Sequence, residues 1–187
     1  MKNKIVYVGL SADIVHKGHL NILKTAKKYG KVIVGLLTDE AIATYKPFPI
    51  LSFEERKVVV QNLKYVTEVI PQNTLDYSEN LKKIKPDFVV HGNDWKIGVQ
   101  KNVRKKVVQL LKKWNGKLIE PTYTSGISSS EIKKKISSSV SMIDGRRSRL
   151  KRLISSKKIV RVLESHSPLT GIIIEELFTS KKGLREE

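Results

Sequence analysis

Residues 4–19 read KIVYVGLSADIVHKGH. The opening run KIVYVGL (4–10) is short, apolar and rich in β-branched residues, as a strand buried on both faces should be. After DIVHKGH (13–19), Leu20, Leu23 and Ala26 recur at helical spacing through LNILKTAKKYG (20–30). A second apolar run, KVIVGLLT (31–38), follows at once. Strand, helix and strand in this rhythm make a unit whose two strands lie parallel. His16 and His19, with Gly18 between them, fall at its strand-to-helix junction.

The rhythm continues. TEVIP (67–71), DFVVHG (87–92) and KLIEP (117–121) read as further strands, and 53–64, 79–85 and 99–114 as helices, the last with Val103, Val107, Leu110 and Leu111 on one face. The pattern predicts an α/β fold: a Rossmann-like parallel sheet of about five strands with helices on both faces, plus a partly helical C-terminal extension. In such a sheet ligands bind outside the carboxyl ends of the strands, near the switch point. Function is therefore sought just after Leu10, Thr38, Gly92 and Pro121.

The 187 residues suffice for one α/β domain and an appendage. The net charge of +18 favours a phosphate-bearing partner: nucleic acid, an anionic membrane surface or a phosphorylated small molecule. No apolar run approaches the ~20 residues needed to span a bilayer. The start reads as a strand rather than a signal peptide. With no cysteine, disulfide and thiolate chemistry are excluded, and a cytoplasmic enzyme fits. Composition divides the chain into a domain over 1–136, a serine-rich linker over 137–145 and an extension over 146–187. The extension holds 11 Lys/Arg against 5 Asp/Glu. In it IVRVL and LTGIIIEEL read as a strand and a helix, too few for a core of their own, as if opening something larger.

Two motifs suit a polyphosphate. A helix starting near Gly18 presents amide donors and the positive end of its dipole. His16 and His19 would add imidazole donors, and Gly18 would let the backbone come close. Two surface histidines at a helix start remain the alternative on spacing alone. After the last strand, YTSGISSSEIKKKI (123–136) carries Ser128 and Glu131 in capping-box spacing, behind Gly126. This is either a second hydroxyl-rich phosphate cradle or an ordinary capped helix. HGNDW (91–95) closes the fourth strand, where Asp94 could hold a ribose hydroxyl, a base amine or a metal-bound water, and Trp95 could meet a ligand or fill core. Lys46 and Arg56 could bring charge to a triphosphate. His91 and His166 have no evident partner, and a structural role is the simpler reading of both.

The order DxxHxGH, a basic loop, E-x-R-K on a helix, V-x-E-V-I-P, G-x-D-W and GISSS resembles the cytidylyltransferase family typified by glycerol-3-phosphate cytidylyltransferase, from about residue 4 to 136. The resemblance implies the following roles. His16 and His19 would bind the CTP phosphates and stabilise the transition state, with Asp13 beside them and Leu10 and Ser11 at the strand end. Lys46 would contact phosphate of donor or acceptor, and Arg56 the acceptor or triphosphate. His91, Gly92, Asp94 and Trp95 would lie near the cytidine. Gly126, Ile127, Ser128 and Ser129 would cradle the β- and γ-phosphates. Magnesium and a homodimer are also implied.

There are departures. Ser11 and Ala12 replace a threonine–phenylalanine pair, Lys64 stands for an arginine, and Tyr123 replaces the arginine three residues before the signature glycine. The last change removes a phosphate-binding guanidinium, so the acceptor is expected to differ from glycerol phosphate. The stretch RLKRLISSKKIVRVLESHSPLTGIIIEEL (149–177) is similar to the opening of phosphoenolpyruvate mutase, which forms a carbon–phosphorus bond. That similarity makes a phosphonate the expected acceptor, 2-aminoethylphosphonate first, with glycerol 3-phosphate or phosphoethanolamine as alternatives. The rival readings are adenylyl transfer and a basic nucleic-acid-binding module, although the aromatic residues do not interleave with the basic ones as stacking platforms would.

Overall fold

A computed structural model describes residues 4–96, 100–122, 124, 126–133, 151, 154–155 and 165–179. Five strands form one parallel sheet in the order β3-β2-β1-β4-β5: β1 Ile5–Leu10, β2 Lys31–Leu37, β3 Glu68–Gln72, β4 Phe88–Val90 and β5 Lys117–Ile119. The helices are α1 Lys17–Lys27, α2 Asp39–Ala43, α3 Phe53–Gln61, α4 Ser78–Ile84, α5 Lys101–Lys112 and α6 Pro168–Thr179, and a 3₁₀ turn spans Asn93–Lys96. The expected strands and the helices of the sheet are all present, with ends shifted by a few residues. The α2 helix and the 3₁₀ turn are additions.

Side chains alternate across the sheet, as the pleat requires. Val6, Val8 and Leu10 of β1 join Val32, Val34, Leu36, Val60, Leu23 and Ala26 in one core, beneath α1 and α3. Tyr7 points the other way, into a second core with Tyr77, Leu81, Val89, Trp95, Val107, Leu110 and Leu111, beneath α4 and α5. On that face Gly9 is forced by close approach: a Cβ there would overlap the Tyr77 hydroxyl. The Tyr7 hydroxyl donates to Gln72 Oε1 at 2.5 Å and accepts from Asn80 Nδ2 at 3.0 Å, so this second core has a satisfied polar centre.

The chain order reverses between β1 and β4, its neighbour in the sheet, and that is the switch point. The 137–145 linker lies outside the described residues, as does IVRVL in the extension. The helix expected over LTGIIIEEL is present as α6, with Leu169, Ile172 and Ile173 exposed. Among the described residues no helix is long and apolar enough to cross a membrane.

Candidate active site

A cleft of about 170 Å³ opens at the carboxyl ends of β1 and β4. It is lined by Leu10 and Ser11 from β1, His16, Gly18 and His19 from the start of α1, Lys46 from the loop after α2, His91 and Gly92 after β4, and Ser128 and Ser129 after β5. The two motifs expected to hold phosphate, more than a hundred residues apart in sequence, meet here. Ser129 Oγ donates to the Ile14 carbonyl at 3.2 Å, and Asn21 Nδ2 to Thr124 Oγ1 at 3.0 Å. Ser128 caps the following helical turn by accepting from the Glu131 amide at 3.1 Å.

The histidines are held in one tautomer. His16 is the N-cap of α1, and its Nδ1 accepts from the Gly18 amide at 3.1 Å. His19 Nδ1 accepts in return from the His16 amide at 3.3 Å, closing a capping box built of two imidazoles. An Nδ1 that accepts has no proton, so each neutral ring carries its N–H at Nε2. The rings lie 4.0 Å apart. Burial, then the neighbouring His16 and Lys46 charges, push His19 down to about 3, and burial with Lys46 pushes His16 down as well. At neutral pH the cleft therefore presents two uncharged N–H donors beside a lysine. The Gly18 amide, expected to face a phosphate, is taken by His16. Gly18 is instead needed because a Cβ there would stand 2.9 Å from His16 Cε1.

Asp13 is 4% exposed and serves as a tie rather than a wall. Its Oδ1 accepts from the amides of Ile50 and Leu51 at 2.8 and 3.1 Å, and its Oδ2 pairs with Lys133. One carboxylate thus joins the histidine turn, the Lys46 loop and the serine-rich helix. Arg56 is not brought to the cleft lining. It is fully buried and donates to the Ser11 carbonyl at 2.6 Å, to Asp39 Oδ1 at 2.7 Å and to the Leu51 carbonyl at 3.3 Å. Sequence reasoning expected its charge to face a ligand; instead Asp39, on the unforeseen α2, compensates it.

Trp95, also absent from the lining, is 1% exposed and stacks on His91, with ring centres 3.9 Å apart and planes 8° from parallel. His91 donates from Nδ1 to the Gly92 carbonyl at 2.8 Å. Gly126 has φ +78, in the left-handed region where glycine is at ease, and turns the chain into the serine helix without lining the cleft, as does Ile127. Tyr123 and the Asp94 side chain lie outside the description. Tyr45, Tyr77, Gln100, Thr124 and Ser130 also line the cleft. Loop aromatics and lone polar residues carry no spacing signal, and the sequence did not mark them. Among the described residues no cluster of three His, Asp or Glu could hold a metal, and no carboxylate lines the cleft. The described lining does not fit a magnesium ion held by the protein itself.

Neutral donors, one lysine and a hydroxyl-bearing helix start around a switch-point cleft are the equipment of the α/β nucleotidyltransferases, a class that transfers a nucleotide by charge stabilisation. The model of the cytidylyltransferase-like family matches residues 7–135, and the chain belongs to that family. Over 123 residues it is 38% identical to ethanolamine-phosphate cytidylyltransferase of Mus musculus, covering 64% of this chain and 29% of that enzyme. Over 91 residues it is 40% identical to FAD synthase of Ferroglobus placidus, covering 49% of this chain and 59% of that one. The chain thus spans less than two thirds of the length of these curated relatives. A lipopolysaccharide core biosynthesis protein from Thermoplasma volcanium GSS1 has the same fold, with a TM-score of 0.57 at 23% identity over 65% of this chain and 98% of that one.

Proposed function

We propose that the chain transfers CMP from CTP to a small phosphonate, 2-aminoethylphosphonate first, with release of pyrophosphate. An acceptor phosphonate oxygen attacks the α-phosphorus; the new P–O bond forms as the bond to the β-phosphate oxygen breaks, and pyrophosphate leaves with that electron pair. The acceptor oxygen is already ionised near neutral pH, so no general base is required. Catalysis is positioning and charge neutralisation. His16 and His19 donate from Nε2 to phosphate oxygens, Lys46 offsets charge on donor or acceptor, and the Ser128–Ser129 start holds the leaving group. Magnesium would come bound to the triphosphate as part of the substrate and would offset some of its charge.

The observation that carries this reading is the meeting of the paired imidazoles, Lys46 and the serine-flanked helix start around one cleft. Cytidylyl rather than adenylyl transfer is supported by the ethanolamine-phosphate relative, whose alignment covers more of this chain than the FAD synthase alignment does. The test is pyrophosphate release from CTP or ATP with magnesium and, in turn, 2-aminoethylphosphonate, phosphoethanolamine, phosphocholine and glycerol 3-phosphate. Turnover with CTP and 2-aminoethylphosphonate above all others supports the proposal. Preference for phosphoethanolamine moves the acceptor to a phosphoalcohol, and preference for ATP overturns the nucleotide. His16→Ala and His19→Ala should each lower turnover by about 10²–10³-fold in a folded protein.

A further inference from the structure

Behind the His91 end of the cleft stands a charged assembly of Glu120, Arg104 and Lys96, none of which lines the cleft. Glu120 follows β5, and its Oε1 accepts from the Trp95 indole N–H at 2.8 Å. Arg104 of α5 grips the same carboxylate with both ends of its guanidinium, Nε to Oε1 and Nη2 to Oε2, each at 2.8 Å. Lys96 adds a second cation at 3.6 Å. The Arg104 guanidinium and the Trp95 donor hold the Glu120 carboxyl down at about 2, so it stays ionised throughout the working range. In front of Trp95 the His91 ring lies flat against the indole, and Tyr77 packs on both at 5.9 and 6.3 Å. The backbone closes the frame: the His91 amide donates to the Ile119 carbonyl and the Asn93 amide to the Pro121 carbonyl, both at 3.2 Å.

An indole sandwiched among aromatic rings can slide or tilt in its plane at little cost. A fixed acceptor at Nε1 removes that freedom, and a carboxylate gripped bidentately is itself fixed in direction. The line Arg104–Glu120–Trp95–His91 therefore runs from the outer helix to the wall of the cleft without a loose joint. In the transferase reading the phosphates lie at the His16, His19 and Ser128 end, and the nucleoside lies toward His91, Gly92 and Tyr77.

We propose that Glu120 and Arg104 are positioning residues for nucleotide binding: they hold the Trp95 indole, and through it the His91 wall, in the geometry that receives the nucleoside. This rests on the transferase reading above. The test is steady-state kinetics of Glu120→Ala, Glu120→Gln and Arg104→Met, with the triphosphate and acceptor that the wild-type protein turns over. Glu120→Ala is expected to raise KM for the triphosphate about tenfold, the equivalent of one hydrogen bond to a charged group, with kcat changed less than about threefold. Glu120→Gln keeps an acceptor for the indole and is expected to recover most of the loss. KM for the acceptor should move little in both.

An unchanged triphosphate KM in folded Glu120→Ala overturns the proposal, as does a fall in kcat alone. If Glu120→Ala does not fold, Arg104→Met decides: it leaves the indole hydrogen bond and frees its acceptor, so a several-fold rise in KM supports the proposal and an unchanged KM overturns it. A wild-type protein that turns over neither CTP nor ATP refutes the transferase reading. CTP binding by calorimetry, compared between wild type, Glu120→Ala and Arg104→Met, then judges the positioning claim separately: equal affinities overturn it, as does no binding by the wild type, and weaker binding by the folded variants supports it.

Discussion

Replacing His19 by glutamine should flatten the acid side of the stability profile. In the folded protein burial and two neighbouring positive groups hold the His19 imidazole at about 3, against about 6.5 for a free side chain. Between those values the unfolded chain binds a proton that the folded chain refuses. Stability is therefore fully present above pH 6.5 and falls as pH drops toward 3. The slope approaches about 1.4 kcal/mol per pH unit for this one group. From pH 6.5 to pH 5 the wild-type protein should lose about 2 kcal/mol to His19 alone. Glutamine cannot take up the proton, so the variant should escape that loss even if the missing cap lowers its stability at every pH. Urea unfolding of both proteins at pH 7 and pH 5 measures the two differences. If wild type and His19→Gln lose equal stability between these pH values, the imidazole is not buried as a neutral donor, and the tautomer argument for both histidines fails with it.

Other perturbations report on neighbouring contacts. Gly18→Ala puts a methyl group 2.9 Å from the His16 ring; turnover should fall at least tenfold while the melting temperature moves by only a few degrees, as steady-state rates and thermal unfolding would show. Lys133→Met leaves the Asp13 carboxylate without its cation and should cost roughly 1–3 kcal/mol in urea unfolding, with the loss partly recovered in the Asp13→Asn, Lys133→Met double variant. Gly9→Ala sets a Cβ against the Tyr77 hydroxyl; overpacking of this kind costs about 1–3 kcal/mol, and restoring space with Tyr77→Phe in the same chain should regain part of the stability.

The sheet was legible because its strands are buried on both faces and so read as unbroken β-branched runs separated by helices of ordinary length. The cleft was legible because topology alone sends the ends of β1, β4 and β5 to one edge. What escaped was the direction of charge. Arg56 looked like a surface cation on an acidic-and-basic helix, and only a partner on the short α2, invisible as a five-residue pattern, makes its burial affordable. Asp13 and Trp95 were expected beside the ligand, yet one ties segments together and the other backs a wall; sequence proximity to a motif does not say which way a side chain turns. Glu120 drew no attention at the end of KLIEP, because its partners Trp95 and Arg104 lie 25 and 16 residues away on other elements.

The imidazole capping box binds two selective demands to the same atoms. Serine or aspartate at position 16 would start α1 at least as well, but serine is shorter than the imidazole that lines the cleft and aspartate would set a negative charge against the proposed triphosphate. A gain in helix stability at this junction is thus available only by surrendering a donor, and random change that improves thermal tolerance here should be purged wherever the proposed transfer reaction matters to the cell.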